Sequence, residues 1–240
     1  MKVAFSYVTD SPQTRTRASG SAGHGRPADG RLRLLAAAEQ LFATRGLEVP
    51  NREIVAAAGQ HNQSAITYHF ASRAGLIDAV CELHQTPIAR HRQQLIARLP
   101  APGERTTRQL VEAHVQPLAA EMLRFTPSYW ARLTEMLLAD QPLWFSRGVE
   151  LSLHCPGPKQ WADSIQSELL ELMVAHLTNL PESEAVDRVA LTARFLNSGL
   201  ARWEHDSEAG VDDVAPLAPF TLILTDLAVA MLDAPTSVEV

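Results

Sequence analysis

The chain has 240 residues, 46% hydrophobic and 20% charged, enough apolar material for an ordinary core and too much for wholesale disorder. Its two cysteines, Cys81 and Cys155, show no CxxC or Cys/His metal spacing, which excludes a disulfide scaffold and a zinc finger and suits a reducing cytoplasm. The net charge of −6 is uneven: residues 1–99 hold 12 Lys and Arg against 7 Asp and Glu, a balance of +5, whereas residues 100–240 hold 9 against 20, a balance of −11. A cationic front on an anionic body suits a polyanion-binding module on a self-repelling remainder. No uncharged apolar run reaches the roughly 18 residues of a membrane helix, so no membrane partner is expected.

Residues 1–29, rich in Ser, Thr, Gly, Pro and Arg and without periodicity, read as a disordered arm. Arg15, Arg17 and Arg26 would equally serve a minor-groove arm, and an Arg- and Ser-rich, acid-poor start would equally serve as a transit peptide. Asp29 is a good N-cap for a first helix with Leu34, Leu35, Ala38, Leu41 and Phe42 on one face, stopped by Gly46. Asn51 is the expected cap of a short second helix ending in Ala56-Ala57-Ala58, with Ile54, Val55 and Ala58 buried. After Gly59, a third helix starts at Asn62 or Gln63, buries Ile66 and Phe70, and ends near Ala71. Ser72 caps a fourth helix with Leu76, Ile77, Val80 and Leu83 facing inward. Helical spacing continues over 74–98, disturbed by Pro87, then 105–125, 128–139, 158–179, 182–207 and 216–233. The stretch 140–157 is partly irregular, and no strand alternation appears. The fold class is all-α: an N-terminal three-helix helix-turn-helix unit over 30–75 and a larger helical body over 76–240.

Two short helices around a glycine turn form a helix-turn-helix, whose second helix enters a DNA major groove. The alanines permit close packing, Gly59 accepts positive φ, and Gln63, Ser64, Thr67 and Tyr68 stay outward while Ile66 and Phe70 bury. A helical hairpin in any bundle shows the same pattern.

The stretch Leu34 to Val80 resembles the DNA-binding domain of the tetracycline-repressor (TetR) family of transcription regulators. The resemblance rests on Leu35-Ala36-Ala37-Ala38 with Leu41-Phe42 and Gly46, Ile54 with Ala58-Gly59, Ile66-Thr67-Tyr68-His69-Phe70, and Ser72-Arg73 followed by Gly75-Leu76. Gln60-His61-Asn62 makes the turn one residue longer than usual, Asn62 stands where the family has a capping Ser, and Arg73 replaces a customary Lys. The resemblance implies that Asn51 and Arg52 meet the DNA backbone and that Gln63 and Ser64 face base edges, beside Asn62 as cap. Thr67, Tyr68, His69 and Arg73 would anchor phosphate. His69 competes for a second role as a half-buried helix end. The implied function is that of a repressor: a homodimer bound to a palindromic double-stranded DNA operator and released by a small apolar effector.

In the body, Met122, Phe125, Trp130, Met136, Trp144, Phe145, Trp161 and Met173 form either an ordinary aromatic core or an effector pocket, with His154 or Glu135 to orient a ligand. The apolar stripes of the last two helices suit a four-helix dimer interface through Val189, Leu196, Phe220 and Leu224, with Arg202 and Trp203 as anchors. His154-Cys155 lacks further metal-ligand spacing, and His84 and His91 read as a solvated or capping pair. No cofactor or metal is expected. No GxSxG, HExxH or P-loop supports an enzyme; the alternative to a regulator is a helical enzyme or interaction module that keeps the helix-turn-helix without binding an operator.

Overall fold

A computed structural model describes residues 27–139 and 160–236, and every regular element among them is helical. The first helix, α1 (Pro27–Arg45), already contains Asp29, which is therefore not its cap. Asp29 instead lies in the first turn, beside the positive helix end, and pairs with Arg33 at 2.7 Å. Residues 1–26, with Arg15, Arg17 and Arg26, lie outside the described residues.

The next helices are α2 (Asn51–Ala57) and α3 (Ala65–Phe70). Pro50, not Asn51, holds the cap position of α2; its carbonyl accepts from the Glu53 N–H at 2.9 Å. Ile54, Val55 and Ala58 are buried as expected, but Ala56 and Ala57 face outward. Close packing of this helix therefore depends on Ala58 alone among the three alanines. The chain turns at Gly59 with φ 67°, a conformation glycine adopts without steric cost.

Ser72 caps α4 (Arg73–Ile96), its hydroxyl accepting from the Gly75 N–H at 3.0 Å. This helix passes through Pro87 without breaking, although the proline leaves the Leu83 carbonyl without its helical donor. A capping box of Thr106 and Gln109 starts α5 (Thr107–Met122), which likewise runs through a buried Pro117. There follow α6 (Trp130–Leu138), α7 (Gln160–His176), α8 (Glu182–Ala209) and α9 (Leu217–Asp233).

Two large apolar cores form among the described residues. One joins Leu34, Leu35, Ala38 and Phe42 of α1 to Ile54, Val55, Ile66, Phe70, Leu76 and Val80, and is closed by Tyr129, Trp130 and Leu133. The other joins Leu110 and Val111 of α5, Leu169 and Met173 of α7, Leu196 and Leu200 of α8, and Leu224 and Ala228 of α9, with Ala131 from α6. Helix α6 therefore gives one face to each core, so a shift of α6 is felt by both.

Candidate nucleic-acid interface

Helix α3 divides cleanly by side: Ala65, Ile66 and Phe70 are buried, whereas Thr67 and Tyr68 are exposed, Tyr68 to 77%. A tyrosine left this far in water gains little from packing on its own chain. Gln63 and Ser64 are exposed too, but they precede the helix instead of forming its first turn. The cause is Asn62, whose Oδ1 accepts from the Ser64 N–H at 3.0 Å, an Asx turn that delays the helix. Ser64, not Asn62, takes the cap position, and its side chain makes no capping bond. His69 is half-buried, its ring edge-on to Tyr68 at 4.8 Å.

Asn51 and Arg52 are exposed at the start of α2. Arg73 is half-buried, and its guanidinium is engaged within the chain: Nη1 donates to Asn51 Oδ1 at 2.6 Å and Nη2 to the Leu47 carbonyl, with the Phe42 ring centre 5.1 Å away. It thus ties the start of α4 to the start of α2 and fixes the Asn51 side chain. Gln60 donates to the Gly30 carbonyl at 2.7 Å, tying the turn to α1. Arg45 and Glu53 pair at 2.6 Å between α1 and α2.

The junction between α3 and α4 is tight. Ala71 has φ 62° and ψ −36°, and the Ser72 N–H donates to the Phe70 carbonyl at 2.7 Å, a γ-turn that an alanine adopts only under strain. At Gly75 a Cβ would lie 2.1 Å from the Phe70 carbonyl oxygen, so the first turn of α4 meets the end of α3 with no room for a side chain. Gly75 belonged to the sequence pattern without an evident physical reason; Ala71 carried no signal at all.

The described members of the expected effector cluster are divided between the two cores and the surface. Met122 and Met173 lie in the second core, Trp130 lies in the first, Phe125 is half-buried and Met136 is exposed. Positions 130 and 136 fall on different faces of α6, which is why they part. Trp144, Phe145, His154 and Cys155 lie outside the described residues, as does the side chain of Trp161. Glu135 lines a small open cleft with Leu138, Arg194 and Asn197.

Trp130 instead stacks on His84, centroids 4.6 Å apart and rings inclined by 18°, with Phe125 edge-on at 5.0 Å. His84 is fully buried and not a solvated partner of His91. Its Nδ1 lies 2.8 Å from Glu121 Oε1; its Nε2 lies 3.2 Å from Glu39 Oε2, an ionic approach without hydrogen-bond alignment. Burial opposes charge on the ring, but the two carboxylates outweigh it and push the pKa up to about 9. Arg124 donates to both Glu121 oxygens at 2.7 Å, so protonated His84 and Arg124 balance the two carboxylates.

The neighbouring residue of α1, Gln40, donates to the Tyr129 hydroxyl at 3.1 Å, which donates to Glu208 of α8 at 2.6 Å. Arg132 pairs with Glu208 at 2.6 Å and with buried Glu204 at 3.3 Å. Glu204 also accepts the Arg132 backbone N–H at 3.0 Å, capping the first turn of α6, while burial holds its carboxyl above the usual range. Consecutive residues of α1, Glu39 and Gln40, thereby reach α4 and α5 on one side and α8 on the other.

Three residues of the expected dimer interface, Val189, Leu196 and Leu224, are buried inside this chain. Leu224 packs so closely on Gly199 that a Cβ there would lie 2.6 Å from its Cδ2. Phe220 is half-buried, and Trp203 is half-buried with its Nε1 donating to the Ala215 carbonyl at 2.8 Å. Arg202 is exposed and pairs with Asp206 at 2.7 Å. The apolar side chains that α8 and α9 leave outside are Leu191, Leu222, Ile223 and Leu227.

The α2–turn–α3 arrangement is a helix-turn-helix. Residues 34–80 match the model of the bacterial regulatory proteins of the tetR family, so this part of the chain has that family's helix-turn-helix domain. No curated protein matches the chain in sequence. Among solved structures, it is similar to the fatty acid degradation regulator FadR from Bacillus halodurans, 14% identical with TM-score 0.49, over 85% of this chain and 98% of that one. A tetR-family regulatory protein from Rhodococcus RHA1 is 15% identical with TM-score 0.48, over 85% and 96%. A gamma-butyrolactone receptor, an ArpA-like protein, is 20% identical with TM-score 0.48, over 85% and 98%. Among the described residues, no helix is long and apolar enough to cross a membrane, and no group of His, Cys, Asp and Glu is arranged to hold a metal.

Proposed function

We propose that the protein is a homodimeric, ligand-responsive repressor that binds a near-palindromic operator. The observation that carries this reading is the exposed polar set Gln63, Ser64, Thr67 and Tyr68 beside Asn51 and Arg52, on a helix pair anchored from behind by Ile66 and Phe70. Gln63 and Ser64 face base edges; Asn51, Arg52, Thr67, Tyr68 and His69 contact the backbone. Arg73 holds Asn51 in place and offers its remaining donors to phosphate.

Dimerisation uses the outer face of α8 and α9, where Leu191, Leu222, Ile223 and Leu227 stand in water. It sets two recognition helices about 34 Å apart, or a multiple of that, on one DNA face. An apolar effector in the body releases the operator by favouring one spacing of the heads over the other. A change of about 100-fold in operator affinity needs a coupling of about 2.7 kcal/mol. Helix α6, shared by both cores, and the two polar links from α1 are the parts able to carry it. The test is fluorescence anisotropy with the DNA flanking the protein's own gene. Binding should be tighter than to shuffled duplex and fall steeply with salt; equal affinity for both duplexes contradicts the proposal.

A further inference from the structure

On α4, beside the second core, lies a buried positive charge that pairs with no carboxylate of the described residues. Arg92 of α4 is 3% exposed, and its Nη2 donates to the His114 carbonyl of α5 at 3.3 Å. Its Nε has no hydrogen-bond partner, nor has Nδ1 of His114, itself only 5% exposed. No carboxylate among the described residues forms an ion pair with Arg92. Elsewhere in the body, His84, Arg132 and Arg188 each meet a glutamate, and half-buried Arg105 donates to the Pro100 carbonyl at 2.8 Å.

The surroundings are apolar. Ile88 and Ala89, one turn before Arg92, are buried, and Leu95 and Ile96, one turn after, pack against the core that holds Met122 and Met173. On α5, His114 stands between buried Ala113 and Val115. A guanidinium in such a place is strongly disfavoured without an anion. Burial pulls its pKa down to about 10, and burial together with Arg92 pulls His114 down to about 3. At neutral pH the pair is therefore one cation and one neutral ring, a donor set suited to a single negative group.

We propose that Arg92 and His114 receive the carboxylate of a small amphipathic acid whose apolar part lies between α4, α5 and α7. The inference rests on the effector reading above and gives that effector its chemical class: an apolar body with one acidic end. Arg92 gives the charge and His114 gives a directed N–H, while the apolar flanks exclude water and strengthen both.

The experiment compares wild type with Arg92→Met and Arg92→Lys by thermal unfolding in millimolar sodium benzoate and sodium hexanoate. Benzamide, hexanol and sodium chloride at equal ionic strength are the controls. The carboxylates should raise the wild-type melting temperature saturably and the controls should not. Arg92→Met should melt at or above the wild-type temperature without ligand, since it removes an unopposed buried charge, and should bind carboxylate about 10-fold or more weakly. Arg92→Lys should keep a reduced response. The proposal is overturned if Arg92→Met unfolds several degrees lower or fails to fold, which marks a structural guanidinium. It is equally overturned if both proteins respond alike or if wild type responds to no carboxylate. Operator binding without ligand is read in parallel: its loss in the wild type would count against the regulator reading and leave the anion result standing.

Discussion

The setting of His84 holds its ring as a cation at neutral pH. Its folded pKa of about 9 lies above the ordinary value of 6.5. A raised pKa means that its contribution is complete below about pH 6.5 and is lost as pH rises through about 9. The difference corresponds to about 3 kcal/mol. The melting temperature should therefore fall between pH 6.5 and 9.5, and Glu39→Gln should flatten that fall; an unchanged slope would contradict the ionic role of Glu39. None of this was legible in the sequence. Glu39 and Glu121 lie on other helices, far along the chain, and a histidine on a helix carries no mark of what tertiary packing brings to it. Gln63, Thr67 and Tyr68 were legible, because the burial of Ile66 and Phe70 dictates which positions remain outside.

At the scale of elements, the α3–α4 junction decides how the recognition helix is held. Gly75→Ala would drive a methyl into the Phe70 carbonyl and should cost about 2–3 kcal/mol in urea unfolding. Ala71→Gly should instead stabilise by about 1 kcal/mol, since it relieves a φ of 62°. If Ala71→Gly destabilises and Gly75→Ala does not, the junction is not strained as described. Helix existence was readable throughout, because capping residues and apolar periods act locally: Ser72 caps α4 and Thr106 caps α5 as such residues do. Boundaries were less readable. Asn62 bonds to Ser64 two residues on and delays α3, Asp29 falls inside α1, and Pro50 takes the cap position expected of Asn51. The stripes of α8 and α9 misled for another reason. Both helices are apolar on more than one side, and sequence alone does not tell the side that packs inward, with Leu196 and Leu224, from the side that keeps Leu222 and Ile223 outside.

In the whole molecule, the helix-turn-helix head joins the helical body through α6 and through Glu39 and Gln40. The proposed dimer uses the outer face of α9, so Ile223→Glu should yield folded monomers in light scattering, whereas Leu224→Glu, placing a charge in the core, should unfold the chain. A wild type that is monomeric at micromolar concentration would contradict that interface. The central claim, that the turn and helix at 62–70 read DNA, is tested most directly by selecting duplexes from a random pool with wild type and with Gln63→Ala. The wild type should enrich a near-palindromic site. The variant should lose preference at one base position per half-site, worth about 1–3 kcal/mol, with the rest of the motif intact. A wild type that enriches no motif, or a variant with an identical base profile, would contradict that claim.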